Sequence, residues 1–189
     1  MTTLLVSTRN AHKLGEIKKI LGDHFLLLGL DDTFPDVEET GTTFEANAVL
    51  KVLAAAERFD GYVIADDSGL EVDALDGAPG VFSARFAGEP ANDAANNALL
   101  LEKLQGEKNR RARFRCVIVL ARGKEIVATF DGCVEGSIAE TSSGTGGFGY
   151  DPLFIPEGQS ESFAVLSAEV KNSMSHRARA LEKLRKFFA

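Results

Sequence analysis

A chain of 189 residues, 44% hydrophobic and 26% charged, suits one large domain or two small lobes and needs no metal or disulfide to fold. Its formal charge of −7 excludes a broad nucleic-acid groove and an anionic membrane surface as partners, but a small anion can still bind where bases cluster. Cys116 and Cys133 lie in apolar-flanked runs and read as buried, reduced thiols of a cytoplasmic protein. The apolar part of the N-terminus is too short for a signal peptide, and no run reaches the roughly 20 apolar residues of a membrane span.

Residues 3–7 are β-branched and apolar and predict a central strand. Asn10 is a good N-cap, and Leu14, Ile17 and Leu21 form the stripe of the helix that follows. A strand that ends in Ser7-Thr8-Arg9-Asn10 at a helix start presents backbone N–H groups and a positive dipole end. That suits phosphate, and Lys13 adds a mobile cation. Walker-type glycine spacing is absent. Residues 25–30 predict a second strand. An acidic, turn-rich segment then ends in Glu38-Glu39-Thr40-Gly41. Thr42 and Glu45 fit a capping box, opening a helix with Ala46, Val49, Leu50, Leu53 and Ala54 on its apolar face. Asn47 and Lys51 are four apart and share another face.

Residues 62–64 predict a buried strand that runs into Asp66, Asp67, Ser68 and Gly69, where a turn is expected before a second short strand at residues 70–72. Carboxylates at a strand end are a usual way to hold a hard cation such as Mg²⁺. Neighbours on an extended chain point to opposite faces. One of the two aspartates is therefore expected to face the ion and the other to orient backbone or a basic group. Glu38 or Glu39 would supply a second hard ligand beside Asp67. The plain alternative is a charged surface hairpin.

Gly77-Ala78-Pro79-Gly80 marks a turn, and Arg85, in an apolar setting, is expected to pair with a carboxylate. Residues 93–104 predict a short helix carrying Ala94, Asn97, Leu100, Leu101 and Leu104. Residues 112–121 and 125–134 predict an antiparallel hairpin around Arg122-Gly123-Lys124. Residues 142–150 are dense in glycine, which permits positive φ and close backbone approach to a ligand. Phe148 and Tyr150 offer flat surfaces on which a base can stack. Residues 151–154 lead into another strand. Residues 169–177 open a C-terminal helix with Lys171, His176 and Arg177 as a donor cluster, and Leu181, Leu184 and Phe188 as its buried stripe.

Several of these motifs occur together and in one order from residue 3 to residue 188. They are Ser7-Thr8-Arg9-Asn10 with Lys13 and Glu16; Glu38-Glu39-Thr40-Gly41 with Phe44, Asn47 and Lys51; and Ala65-Asp66-Asp67-Ser68-Gly69-Leu70. Gly77-Ala78-Pro79-Gly80 with Ser83-Ala84-Arg85, residues 144–154, and Ser175-His176-Arg177 complete the set. The set resembles the Ham1-type inosine/xanthosine triphosphate pyrophosphatases. That resemblance implies a single domain over residues 1–189, an elongated, two-lobed α/β fold about a long mixed β-sheet, and an active site in the cleft between the lobes. It implies Mg²⁺ dependence, a cytoplasmic homodimer, and cleavage of a purine nucleoside triphosphate between the α- and β-phosphates.

Carried over position by position, Thr8, Arg9, Asn10, Ala11, His12 and Lys13 would hold phosphates. Asp67 would be the acid-base residue at the metal, with Glu38 as a further metal ligand and Ser68 as a substrate contact. Phe148, Gly149, Tyr150, Asp151, Lys171, His176 and Arg177 would hold base and sugar. Arg9 stands where many relatives carry glycine. Two rival readings are a pyrophosphatase for another modified nucleotide and a non-catalytic nucleotide sensor. The carboxylates Asp67 and Glu38 speak against the sensor.

Overall fold

The computed structural model describes residues 1–189. The apolar runs become six strands: β1 (Thr2–Val6), β2 (Phe25–Gly29), β3 (Tyr62–Val72), β4 (Arg111–Arg122), β5 (Glu125–Ile138) and β6 (Phe154–Pro156). They form one sheet of order β2-β1-β3-β4-β5-β6. β1 runs parallel to both β2 and β3, and β5 antiparallel to β6. The helices are α1 (Ala11–Leu21), α2 (Phe44–Ala56), α3 (Asp93–Lys103), α4 (Ala168–Met174) and α5 (His176–Phe187), with short 3₁₀ segments at Asp73–Leu75 and Gly80–Arg85. This is the α/β class with a mixed sheet that the resemblance implies. No helix is long and apolar enough to cross a membrane.

The chain forms two compact units. The first comprises Met1–Asp67, Cys116–Gly132 and Arg177–Ala189; the second comprises Ser68–Arg115 and Cys133–His176. Each has its own apolar core. In the first, Leu4 and Val6 of β1 pack with Ile17 and Leu21 of α1, Ile64 of β3, and Leu181 and Leu184 of α5. Phe188 caps that core edge-on against the rings of Phe25 and Tyr62, at 5.3 and 5.1 Å between centroids. In the second, Leu70 and Val72 pack with Leu100 and Leu104 of α3 and an aromatic group of Phe114, Phe154 and Phe163. Burying each such side chain stabilises the fold by about 1.5–3 kcal/mol.

Four expectations are corrected. First, β3 does not turn at Gly69: it is one strand of eleven residues through Asp66-Asp67-Ser68-Gly69. Asp66 and Asp67 are buried and meet cations inside the first unit, so the strand need not leave the interior to solvate them. Second, Thr43, not Thr42, caps α2, its hydroxyl accepting from Ala46 N–H. Third, the buried face of α2 is Phe44, Asn47, Ala48, Val52 and Ala55, while Leu50 is exposed. The helix turns Asn47 inward because Asp67 needs a donor. Fourth, the C-terminal helix is two helices, broken at Ser175 where ψ is 160°. Among the cysteines, Cys116 is buried and Cys133 is partly exposed, and both are free thiols. Arg85 lies over the Phe82 ring, 5.3 Å from its centroid.

Gly136 of β5 pairs with Pro156 of β6. A Cβ there would collide with the Ile155 carbonyl oxygen and the Phe154 ring. Gly136→Ala is therefore expected to destabilise the protein by about 1–3 kcal/mol, the usual cost of overpacking. Urea unfolding checks this, and an unchanged midpoint would show that β6 can shift to make room.

Candidate active site

In the first unit the site grows from the ends of β1 and β3 and the starts of α1 and α2. Ser7 N–H donates to the Ile64 carbonyl at 2.7 Å, and its hydroxyl to the Lys51 carbonyl at 3.1 Å. These bonds fix where β1 gives way to the Thr8–Lys13 segment. The Asn10 side chain accepts from His12 and Lys13 N–H at 2.9 and 3.1 Å. The cap thus occupies two of the N–H groups expected to face phosphate. Ala11 and His12 are exposed at the helix start. Arg9 reaches back over the acidic loop. Its guanidinium donates to the carbonyls of Asp31 and Phe34 at 3.1 and 2.6 Å and stands 3.5 Å from Asp36.

The two aspartates of β3 divide as the alternation of an extended strand requires. Asp66 faces cations. Its Oδ2 accepts from Arg177 Nε and Nη2 at 3.3 and 2.9 Å and lies 3.2 Å from Lys13 Nζ. Arg177 is 1% exposed, and its remaining arm donates to Glu16. Burial alone would push the Asp66 carboxyl up. Lys13 and Arg177, with Lys51 behind them, outweigh it and hold the group far below the usual carboxylate range. Asp66 Oδ1 is buried and accepts no hydrogen bond.

Asp67 has the opposite character. Its Oδ2 accepts from Asn47 Nδ2 at 3.0 Å, and its Oδ1 lies 3.7 Å from Lys51 Nζ. Burial pushes its carboxyl up and Glu39 adds to that. Lys51, Lys13 and the Asn47 bond pull it down without cancelling the rise. Lys51 is held in its charged form: burial works against the charge, but Asp66, Asp67 and Glu39 overcome it. Asn47 also accepts from Gly41 N–H at 2.8 Å. A Cβ at Gly41 would sit 2.6 Å from the Asn47 oxygen, so the loop before α2 needs glycine there.

Of the two glutamates in that loop, Glu39 is the one placed beside the site, 2.7 Å from Lys51 Nζ. Glu38 is exposed. No three His, Cys, Asp or Glu side chains stand close enough to form a metal cage. The fit is to a different kind of ion. Asp67 and Glu39 converge on one ammonium at 3.7 and 2.7 Å, so a cation is already favoured between them, and every donor is a hard oxygen. One or two carboxylates, completed by phosphate oxygens and water, are how Mg²⁺ is usually held.

In the second unit the glycine-rich loop is built around Asp151. Its Oδ2 accepts from Phe148 N–H at 2.9 Å and from Lys171 Nζ at 2.6 Å. Gly147, at φ +68°, leaves no room for a side chain because a Cβ would strike this carboxylate. The Lys171 ammonium lies over the Phe148 ring, 4.9 Å from its centroid, and 5.7 Å from that of Phe163. Stacking on aromatic faces supports a desolvated cation. His176 is buried and stacked on Phe114 at 4.9 Å and 15°. Tyr150 is not a stacking surface. It is 3% exposed, and its hydroxyl donates to the Ser83 carbonyl at 2.7 Å. Ser68 is half-buried.

The structure thus gathers Thr8, Asn10 and Lys13 with Asp66 and Asp67 in one unit, and Phe148, Gly149, Asp151, Lys171 and His176 in the other. Two residues that position them, Asn47 and Glu16, lie outside the set that the sequence predicts for the site. Their signal is spacing: Asn47 is four residues before Lys51, and Glu16 three after Lys13, each on the same helix face as the lysine.

The chain is similar to known proteins over nearly its whole length. The Ham1 family model matches residues 4–187. A dITP/XTP pyrophosphatase of Exiguobacterium sibiricum is 52% identical over 96% of this chain and 94% of its own length. That of Geobacter sulfurreducens is 51% identical over 98% and 96%. Among solved structures, a HAM1 protein from Coxiella burnetii superposes with a TM-score of 0.91 at 39% identity, covering 100% of this chain and 98% of its own. The Staphylococcus aureus Ham1 protein gives 0.88 at 44%, covering 98% and 97%.

The buried cluster makes a stability prediction. Asp66→Asn removes the counter-charge of Arg177 and Lys13 and should cost about 3–5 kcal/mol, the usual penalty for leaving a buried ion without its partner. Arg9→Ala, which removes an exposed ion pair and two carbonyl contacts, should cost no more than about 1 kcal/mol. Urea unfolding of both variants checks the contrast. Equal midpoints would mean that the Asp66 cluster contributes little.

Proposed function

This chain belongs to the Ham1 family, and on that premise we propose that it hydrolyses non-canonical purine nucleoside triphosphates such as dITP and XTP to the monophosphate and pyrophosphate. The observation that carries the reading is a pair of adjacent carboxylates with different partners, Arg177 and Lys13 on Asp66, and Asn47 and Lys51 on Asp67. Asp66 is held firmly ionised, whereas the Asp67 carboxyl is pushed up. Groups whose environments drive their pKa values apart mark a division of acid-base labour. Asp67 is the general base, and Asp66 is the counter-ion that anchors Lys13.

In this mechanism a water attacks the α-phosphorus while Asp67 takes its proton. The new phosphorus–oxygen bond forms as the bond to the bridging oxygen breaks, and that oxygen leaves with the pyrophosphate. Asn47 orients the Asp67 carboxylate through the bond at 3.0 Å. Lys13 and Lys51 offset the negative charge that gathers on the phosphate oxygens. Asp67 with Glu39, or with Glu38 after a shift of the loop, would hold Mg²⁺. When bound, the ion supplies Lewis-acid polarisation and charge neutralisation. Water and these groups suffice for direct attack, so no covalent enzyme intermediate is required.

Base recognition falls to the second unit's loop. Phe148 supplies the stacking face. Lys171 carries only donors. Such a group suits the six-position carbonyl of hypoxanthine and xanthine and opposes the amino group of adenine. Arg177, whose N–H groups go to Asp66 and Glu16, serves as a structural cation in this reading and not as the base reader. The reading extends to a cytoplasmic homodimer, which light scattering of the purified protein tests.

The direct test is product analysis with dITP and Mg²⁺. Phosphorus NMR should show pyrophosphate in equal amount to the monophosphate, and orthophosphate as the first product would overturn the assignment. Chelation should abolish turnover reversibly. Asp67→Asn should fold and lose about 10²–10⁴ in kcat, the usual worth of a general base. Near-normal kcat at saturating Mg²⁺ would remove Asp67 from the chemistry.

A further inference from the structure

The glycine-rich loop is held from outside by two side chains of α3 that belong to none of the motifs above. Asp93 Oδ2 accepts from Gly149 N–H at 2.7 Å, and Asn97 Nδ2 donates to the Gly149 carbonyl at 2.8 Å. The two bonds grip the peptide planes on either side of one residue. Fixing both planes fixes the φ and ψ of Gly149, which sits at φ +60°. Nothing lies within 4 Å of where a Cβ would be at Gly149. No side chain packs at that position, so hydrogen bonds hold the conformation: the two from α3, and the Asp151 N–H to the Phe148 carbonyl at 3.2 Å, which closes the turn around Gly149. Phe148 precedes Gly149 directly, so the same grip sets where its ring points.

Asn97 is an expensive choice if its role is packing alone. It is 9% exposed, and its Oδ1 is buried without a hydrogen-bond partner. A leucine of similar size would leave no desolvated acceptor. The asparagine is explained by its donor, which goes to Gly149 and to the Asp93 carbonyl at 2.7 Å. That second bond also ties the two gripping residues to each other across one turn of α3.

We propose that Asp93 and Asn97 are positioning residues for base selection. They lock Gly149 and thereby hold Phe148 and the loop in the one geometry that presents a stacked purine's six-position to its donors. This rests on the reading that the base stacks on Phe148. If the grip is lost, the base still stacks, but the ring wanders, and the register that separates a carbonyl from an amino group at the six-position is blurred.

The test compares kcat and KM for dITP and dATP, with Mg²⁺, in Asn97→Leu, Asp93→Ala, Asp93→Asn and Phe148→Ala, together with each variant's melting temperature. Asn97→Leu and Asp93→Ala should each raise KM for dITP and shrink the dITP-to-dATP ratio of kcat/KM by about tenfold, the worth of one well-placed hydrogen bond. Asn97→Leu should do so without a lower melting temperature, which a merely structural asparagine would not allow. Asp93→Asn keeps an acceptor oxygen and should recover most of the ratio. Phe148→Ala should raise KM for both nucleotides. If it does, while Asp93→Ala leaves the ratio at the parent value, the positioning role is refuted and the base site stands. If Phe148→Ala leaves both KM values unchanged, the base site itself is misplaced and the inference falls with it. Should Asn97→Leu fail to fold, Asp93→Ala, a change at an exposed residue, decides alone.

Discussion

A carboxylate buried inside the first unit is the constraint on which the cluster at the ends of β1 and β3 depends. Removing an ion of this kind from water costs several kcal/mol even after relaxation, and only close, well-oriented counter-charges offset it. For Asp66 those charges come from both sides of the sequence: Lys13 in the first turn of α1 and Arg177 in the first turn of α5. Neither element can move away without stranding an ion, so β3, α1 and α5 are held together where the apolar core alone would permit sliding. Glu16 closes the cluster on the far side of Arg177. The nearby Cys116 thiol is pushed up to about 12, first by burial and then by Asp66. It stays protonated and inert.

The constraint has a chemical consequence one residue along. Because Asp66 takes the cations on its face of the strand, Asp67 projects to a different neighbourhood, where Asn47 and Lys51 are its partners. The same strand therefore delivers one carboxylate held well below the usual range by Lys13 and Arg177 and one pushed up by burial. Lys51 links Asp67 to Glu39 and so ties the acidic loop before α2 to the strand. Gly41 makes that loop's approach to Asn47 possible by having no side chain. Cations and acidic side chains thus stand together at the ends of β1 and β3 and the start of α2.

The second unit solves a different problem with a loop that has little order of its own. Gly144, Gly147 and Gly149 all adopt positive φ, which gives the chain freedom that must be removed from elsewhere. Asp151 removes part of it from within the loop, and Lys171 on α4 clamps that carboxylate. The N-terminal part of α3 removes more, at Gly149. Asn97, with one amide atom satisfied and the other buried without a partner, is a residue for which precision at the loop has been kept at some expense in stability.

The class of fold came with the resemblance of the ordered motifs to one family, and the sequence by itself located most strands, most helices and the chemistry-bearing segments. These rest on local signals: period-two and period-3.6 apolar patterns, an asparagine cap, glycine density, and paired acids on one strand. The alternation of an extended chain even required that Asp66 and Asp67 part company. What it left open was decided by partners distant in sequence. The Ser68-Gly69 pair reads as a turn, and only the arrival of Lys13 and Arg177 lets the strand continue buried through Asp66 and past it. The inward face of α2 followed the needs of Asp67 and not the more apolar stripe. Arg177 resembles a ligand-facing donor in any one-dimensional reading. It lies 111 residues from the aspartate it binds, and no local pattern encodes that pairing. Tertiary structure assigned these roles because the free energy of a buried charge depends on what surrounds it, and its surroundings are assembled by the fold.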